Sequence, residues 1–106
     1  MREGLIILPR TVPEQYHGAL AVKLVDAFGG YTAVEARGAW RDPVDGKIYD
    51  EPVVQYNVAY DVNPLDGHDF GNGKKLGAIA EWLLTETSER AIYFKFADGT
   101  VKIIHK

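Results

Sequence analysis

The stretch that decides the fold is VVQYNVAYDV, residues 53–62, in which apolar and polar side chains alternate. Its even-numbered positions all carry valine or tyrosine, whereas Gln55, Asn57 and Asp61 fall among the odd-numbered ones. Alternation with a period of two places one set on each face of a β-strand. A strand with one apolar and one wetter face is typical of an antiparallel sheet. We therefore predict an antiparallel sheet that buries a single face.

A second alternating segment, residues 31–40, precedes this strand and is joined to it by the turn-rich residues 41–47. Asp-Pro and Asp-Gly favour turns, and glycine supplies positive φ without strain. The two segments are thus predicted to form a β-hairpin. Residues 32, 34, 36, 38 and 40 form the more apolar set, so we expect Trp40 on the buried face. Glu35 and Arg37 belong to the other set and are expected on the wetter face.

Two further segments follow a helical period, and three short segments have the length of strands. Pro13 in the first turn, with Thr11 as the cap, predicts the first helix start, and Gly29-Gly30 predicts its end. The first helix is expected from its cap at Thr11 to the residue before Gly29, the second helix at 74–87, and the remaining strands at 4–8, 91–96 and 100–104. This order predicts an α+β, ferredoxin-like βαββαββ domain over residues 1–106, with both helices on one face of the sheet.

The composition is that of an ordinary globular protein, with 46% hydrophobic and 25% charged residues. A length of 106 residues fits one domain. The absence of cysteine excludes a disulfide framework, a thiolate zinc site and a cysteine nucleophile. A net charge of −3 with scattered basic residues argues against a nucleic-acid partner. No apolar run has the length of a signal peptide or a membrane span, so we predict a cytoplasmic protein without membrane contact.

The hairpin carries a recognisable pattern: Gly29-Gly30-Tyr31-Thr32, then residues 35–42 with Gly38-Ala39-Trp40, then Gly46 and Glu51-Pro52, with residues 91–96 as a closing strand. This pattern resembles a family of small phage and bacterial proteins classed only as domains of unknown function. The resemblance implies a ferredoxin-like or similar fold. Because such small proteins are common in phages, it also implies a role in host interaction or anti-defence. It implies no activity.

The hairpin offers the first candidate ligand site. Arginine presents a planar fork of donors to phosphate or carboxylate, and tryptophan offers a stacking surface. Such a set can hold a nucleotide-like anion on the wetter face of the sheet. The alternative is a cross-strand ion pair on a solvated face, with the tryptophan in the core. The predicted ligand-binding residues are Glu35, Arg37, Trp40, Arg41, Gln55, Tyr93 and Lys95.

A second candidate is an anion site at Asn72, Gly73 and Lys74, where the second helix begins. Unpaired N–H groups in the first turn of a helix attract anions. The segment is not a phosphate-binding P-loop, because His68 stands where that motif needs its first glycine and Lys75 where it needs serine or threonine. The alternative is a loop followed by a lysine-rich first turn.

Metal binding and catalysis find little support in the residue spacing. Asp66, His68 and Asp69 are close together, but they match no established metal-ligand spacing, and a solvated polar loop is the alternative. The three histidines and Ser88, the only serine, form no nucleophile–base motif. We therefore predict no catalytic residue, no metal and no cofactor.

These observations favour a non-catalytic intracellular interaction module that forms a homo-oligomer, such as a dimer, through the uncovered face of its sheet. The first alternative is a protein that binds or sequesters a small nucleotide-like anion, and a host protein is a further candidate partner. A small enzyme is the third hypothesis.

Overall fold

Five antiparallel strands and two helices make up the protein in a computed structural model that describes residues 1–106. The sheet order is β2-β3-β1-β4-β5. Each neighbouring pair of strands is antiparallel, which confirms the α+β class and the antiparallel sheet. The elements are β1 (Arg2–Pro9), α1 (Glu14–Phe28), β2 (Thr32–Arg41), β3 (Ile48–Tyr60), α2 (Asn72–Glu86), β4 (Ala91–Lys95) and β5 (Val101–His105).

One hydrophobic core lies between the sheet and the two helices. The even-numbered residues of β3 point into it as predicted, and none of Val54, Tyr56 and Val58 is more than 6% exposed. Burial of a large apolar side chain contributes about 1.5–3 kcal/mol, so this face provides the main driving force for folding. The fully buried side chains that join β3 in the core are Ile6, Leu8, Leu20, Leu24, Leu76, Leu83 and Ile92.

The sequence prediction was right for the C-terminal end of α1 and wrong for its N-terminal end. At the C-terminal end, Gly29 adopts the left-handed conformation with φ 85° and its N–H donates to the carbonyl of Val25, as predicted. At the N-terminal end, no side chain caps the helix and Pro13 occupies the cap position. The predicted Thr11 cap is therefore wrong. The chain forms a turn at this point, in which the Val12 N–H donates to the Pro9 carbonyl at 3.1 Å.

The faces of β2 are the reverse of the prediction. In the hairpin register, Val34 pairs with Gln55, and Glu35 pairs with Val54. Directly paired residues share a face of the sheet. Glu35 therefore lies on the same side of the sheet as the core residues of β3, whereas Val34 and every second residue after it, including Trp40, lie on the uncovered side.

Part of the hairpin extends beyond the rest of the sheet as a two-stranded arm, residues 37–52. β1 pairs only with residues from Val53 onward, so no third strand supports the arm. The longest dimension of the molecule is 46 Å. Trp40 is 51% exposed on this arm and stacks on Tyr49, with ring centroids 5.0 Å apart. The expected burial of Trp40 is wrong because the register of β2 places it on the uncovered side of the hairpin.

The uncovered face of the sheet is more apolar than the sequence indicated. One row across all five strands runs Val34, Gln55, Ile7, Tyr93 and Ile103. Val34 is 45% and Ile103 53% exposed, whereas Ile7, Gln55 and Tyr93 are half-buried. Neither helix has the length and hydropathy needed to cross a membrane.

Candidate functional site

The structure does not assemble the predicted hairpin site. Glu35 lies on the opposite face of the sheet from Gln55, and its carboxylate is 3.7 Å from the Arg10 guanidinium. The guanidinium of Arg37 donates to Asp50 Oδ1 at 3.0 and 3.2 Å. These groups therefore do not converge with Gln55 on one surface as predicted, because the register of β2 separates them.

The remaining residues of that predicted set are also dispersed. Arg41 donates to the carbonyl of Gly46 at 2.7 Å, so its guanidinium closes the tip of the arm. Trp40 lies beside it on the arm, far from Gln55, Tyr93 and Lys95. Tyr93 and Lys95 lie on the uncovered face of the main sheet, half-buried. Ligand binding by these residues stays a prediction.

A cavity of about 670 Å³ lies at the other end of β3, between the start of α2 and the turn that joins β4 to β5. Its volume falls within the range of about 300–1,000 Å³ that small-molecule sites occupy. We call it the end cavity. The lining residues are Tyr60, Val62, Gly67, His68, Asp69, Gly71, Gly73, Lys74, Gly77, Phe96 and Asp98.

The floor of the end cavity is aromatic. Tyr60, the last residue of β3, is only 4% exposed and stacks on Phe28 with centroids 5.7 Å apart. Its hydroxyl oxygen accepts a hydrogen bond from the Ala97 N–H at 2.8 Å. Burial raises the pKa of Tyr60, and the Ala97 N–H opposes that shift only in part. The phenol therefore keeps its proton at neutral pH.

The carboxylate of Asp69 occupies the start of α2. It accepts hydrogen bonds from the Gly71 N–H at 3.1 Å and from the Gly73 N–H at 2.9 Å. A Cβ atom on Gly73 would lie 2.6 Å from this carboxylate, so any other residue here would displace the carboxylate from its hydrogen bonds. Within the predicted anion site at Asn72, Gly73 and Lys74, an internal carboxylate already holds the N–H of Gly73, and anion binding at this site stays a prediction.

Two further acidic residues lie at or near the rim. The Thr100 N–H donates to the Asp98 carboxylate at 2.8 Å and lowers the pKa of Asp98, which stays ionised at neutral pH. Asp66 accepts from the backbone N–H of His68 at 2.8 Å, and the His68 ring packs edge-on against Phe70. No three His, Asp or Glu side chains converge on a point where they could hold a metal ion.

A buried histidine–tyrosine pair lies elsewhere in the core. His17 is 3% exposed, and its Nε2 lies 3.1 Å from the Pro9 carbonyl. A carbonyl only accepts, so Nε2 carries a proton and, in the neutral imidazole, Nδ1 accepts from the Tyr56 hydroxyl at 2.6 Å. Both partners are buried and satisfied, so this pair stabilises the fold and does not contact ligands.

Sequence reasoning missed Tyr60, Phe96 and Asp98 as candidate site residues. Tyr60 belongs to the apolar set of β3 and reads as a core residue, and the other two lie more than thirty residues later in the chain. One local signal was present. Glycines at 67, 71, 73 and 77 surround His68 and Asp69, and clustered glycines allow a close approach of ligand to backbone.

Comparisons with known proteins give one informative result. No protein-family model matches the sequence, and no curated protein matches it. Among solved structures, the chain is similar to a phage SAM lyase in complex with S-methyl-5'-thioadenosine, with a TM-score of 0.69 and 15% sequence identity. The similarity covers 98% of this chain and 88% of the lyase chain, so the two share a fold.

This likeness contradicts the function expected from the sequence. The leading prediction was a non-catalytic, self-associating interaction module, with host interaction or anti-defence as its suggested role. The solved structure that shares the fold is instead an enzyme with a small nucleoside ligand. The prediction failed because it rested on the absence of a recognisable catalytic motif, and a fold of this kind can support catalysis without one.

Proposed function

We propose that this chain is a small enzyme that binds S-adenosylmethionine in the end cavity and releases S-methyl-5'-thioadenosine. The observation that carries the proposal is the fold likeness to the phage SAM lyase over 98% of the chain. A cavity of about 670 Å³ with an aromatic floor gives a nucleoside a place to bind. Nucleobases stack favourably on aromatic side chains, at about 1–3 kcal/mol per base in nucleic-acid complexes.

The charges around the end cavity also suit this substrate. S-adenosylmethionine carries a positive sulfonium, and Asp98 supplies a negative charge at the rim. The chain as a whole has a net charge of −3, which favours the approach of a cationic substrate. When the bond between sulfur and the γ-carbon of the amino-acid part breaks, its electron pair goes to sulfur, and the substrate's own carboxylate oxygen forms a new bond to that carbon, which closes a lactone. The leaving group is then a neutral thioether, so bond cleavage requires no protonation of the leaving atom.

The first experiment is to incubate the purified protein with S-adenosylmethionine and to measure S-methyl-5'-thioadenosine by liquid chromatography. A parallel incubation without protein controls for spontaneous breakdown of the substrate. We expect thioadenosine to form at a rate proportional to protein concentration. Calorimetric titration with S-methyl-5'-thioadenosine should also show saturable binding. Absence of both protein-dependent turnover and binding would refute the proposal.

We also propose that the architecture is ferredoxin-like, with β5 added at one edge. In support, the first four strands lie in the order β2-β3-β1-β4, with α1 connecting β1 to β2 and α2 connecting β3 to β4. β5 extends this sheet by pairing only with β4.

A further inference from the structure

We infer that the two ends of the end cavity recognise different parts of the ligand. The aromatic floor at Tyr60 and Phe96 takes the nucleobase, with a hydrogen bond from the Tyr60 hydroxyl, and Lys74 at the rim takes the carboxylate of the amino-acid part. This inference rests on the proposed function, because it assigns contacts to the substrate named there.

The hydroxyl of Tyr60 has a hydrogen-bond donor that the protein does not use. Its hydroxyl oxygen accepts from the Ala97 N–H, and no protein group accepts the hydroxyl proton. A tyrosine that is 96% buried usually has a partner for its hydroxyl proton. Because Tyr60 lines the end cavity, a ligand atom there is the natural acceptor. Ring nitrogens of a nucleobase are neutral acceptors that fit a neutral donor.

The second step concerns the shape of the floor. Phe96 packs at a right angle on Phe94, with centroids 5.3 Å apart, which fixes its ring at the cavity wall. Gly77 of α2 faces the same space, and a Cβ built on it meets no heavy atom within 4 Å. The Phe96 ring packs against the α2 backbone at Gly73, where a built Cβ would lie 3.3 Å from it, so the open space for a flat ligand lies one turn further along the helix, beside Gly77. The base belongs at this end because its surface is the most apolar part of the ligand.

The ammonium group of Lys74 has no charged partner within the protein. Lys74 lies in the first turn of α2 and is exposed. The positive end of the helix dipole adds to its potential. Asp69 is held by two backbone N–H groups and so does not neutralise the Lys74 ammonium by direct pairing. An anionic group of the ligand is the complementary partner at this end.

The test compares two ligands that share the nucleoside but differ in the carboxylate. S-adenosylmethionine has both groups, and S-methyl-5'-thioadenosine has only the nucleoside. We expect Tyr60→Phe to weaken both ligands by about the same factor, roughly 3- to 10-fold, as for a neutral hydrogen bond. We expect Lys74→Gln to weaken S-adenosylmethionine by about 10-fold or more and to leave the thioadenosine unchanged, because a charged hydrogen bond is stronger.

A matched control comes from the same strand. Tyr56→Phe removes a buried hydroxyl from the same face of β3, but Tyr56 contacts His17 rather than the end cavity. It should leave both affinities as in the wild type. A measurement on wild-type protein avoids any folding defect of Tyr60→Phe. The analogues of S-methyl-5'-thioadenosine in which N1, N3 or N7 of the base is replaced by carbon each lack one acceptor, and at least one should bind more weakly.

Each outcome has a defined meaning. If wild-type protein binds neither ligand, the proposed function fails, whatever the variants do. If wild-type protein binds both, the inference is overturned by any one of three results. The first is an unchanged affinity of folded Tyr60→Phe for the thioadenosine. The second is the same affinity of the wild type for all three base analogues, and the third is an equal loss of affinity for both ligands in Lys74→Gln.

Discussion

A leucine at position 77 should block the end cavity without harming the fold. Gly77 lies within α2 and lines the cavity, and a Cβ built there meets no heavy atom within 4 Å. The Cβ of a leucine therefore fits at position 77, and the rest of its side chain extends from a helix position that lines the cavity. Gly18 in α1 offers a matched control, because its Cβ also meets nothing within 4 Å and it lies outside the cavity.

The two substitutions should have the same effect on the free protein. Glycine in a helix interior costs about 0.5–1 kcal/mol relative to a good helix former such as alanine or leucine. Gly77→Leu and Gly18→Leu should therefore each gain a similar amount. For a domain of this size, 1 kcal/mol raises the Tm by about 4–8 °C. Both variants should melt a few degrees above the wild type.

The Tm increase on ligand binding should distinguish the two variants. A ligand at 100 times its Kd stabilises the native state by about 2.7 kcal/mol, which corresponds to a Tm increase of roughly 10–20 °C here. We expect S-methyl-5'-thioadenosine to produce this increase in the wild type and in Gly18→Leu, and no increase in Gly77→Leu. Differential scanning fluorimetry at several ligand concentrations measures all three. A full ligand shift in Gly77→Leu would show that the end cavity is not the binding site.

Three further predictions concern stability and assembly. Burial and the nearby Glu51 raise the pKa of Glu89 above 4.5, so the folded state loses stability as the pH rises through that raised pKa. Urea titrations should therefore show that Glu89→Gln is more stable than the wild type at pH 7 and equally stable below about pH 4. Tyr56→Phe leaves Nδ1 of His17 buried without a partner and should cost about 1–3 kcal/mol in the same titrations, a loss under 0.5 kcal/mol contradicting the assigned hydrogen bond. Self-association through the uncovered sheet face also stays a prediction: light scattering should give more than one chain per particle for the wild type and a monomer for Ile103→Lys, and a wild-type monomer would refute it.

Much of the fold was predictable because its signals are local. The alternation at residues 53–62 identified the buried face of β3, and the helical period placed α1 to its last residue before Gly29. α2 begins two residues before its predicted start, at Asn72, because Gly71 in the left-handed conformation forms its cap. These features depend on residues a few positions apart, whose preferences a sequence displays directly.

The uncovered face of β2 and the arm were not predictable in the same way. Small residues occupy both faces of β2, so its alternation does not distinguish them. The face is set by the register with β3, in which Glu35 pairs with Val54. A shift of one residue in that register would exchange the two faces. The arm exists because β1 ends at Pro9 while β2 and β3 continue, which is a property of three segments together.

The sequence by itself determined the class of the domain, the core face of β3 and the C-terminal end of α1, because periodicity and glycine or proline chemistry act over one or two turns of chain. Only the tertiary structure decided where a ligand can bind. The end cavity joins Tyr60, the start of α2 at Asn72 and the turn at Asp98, residues that no local pattern relates. They meet because β1 pairs with β3 on one side and with β4 on the other, which places the ends of β3 and β4 at the same end of the sheet. This arrangement forms only when all three strands pair.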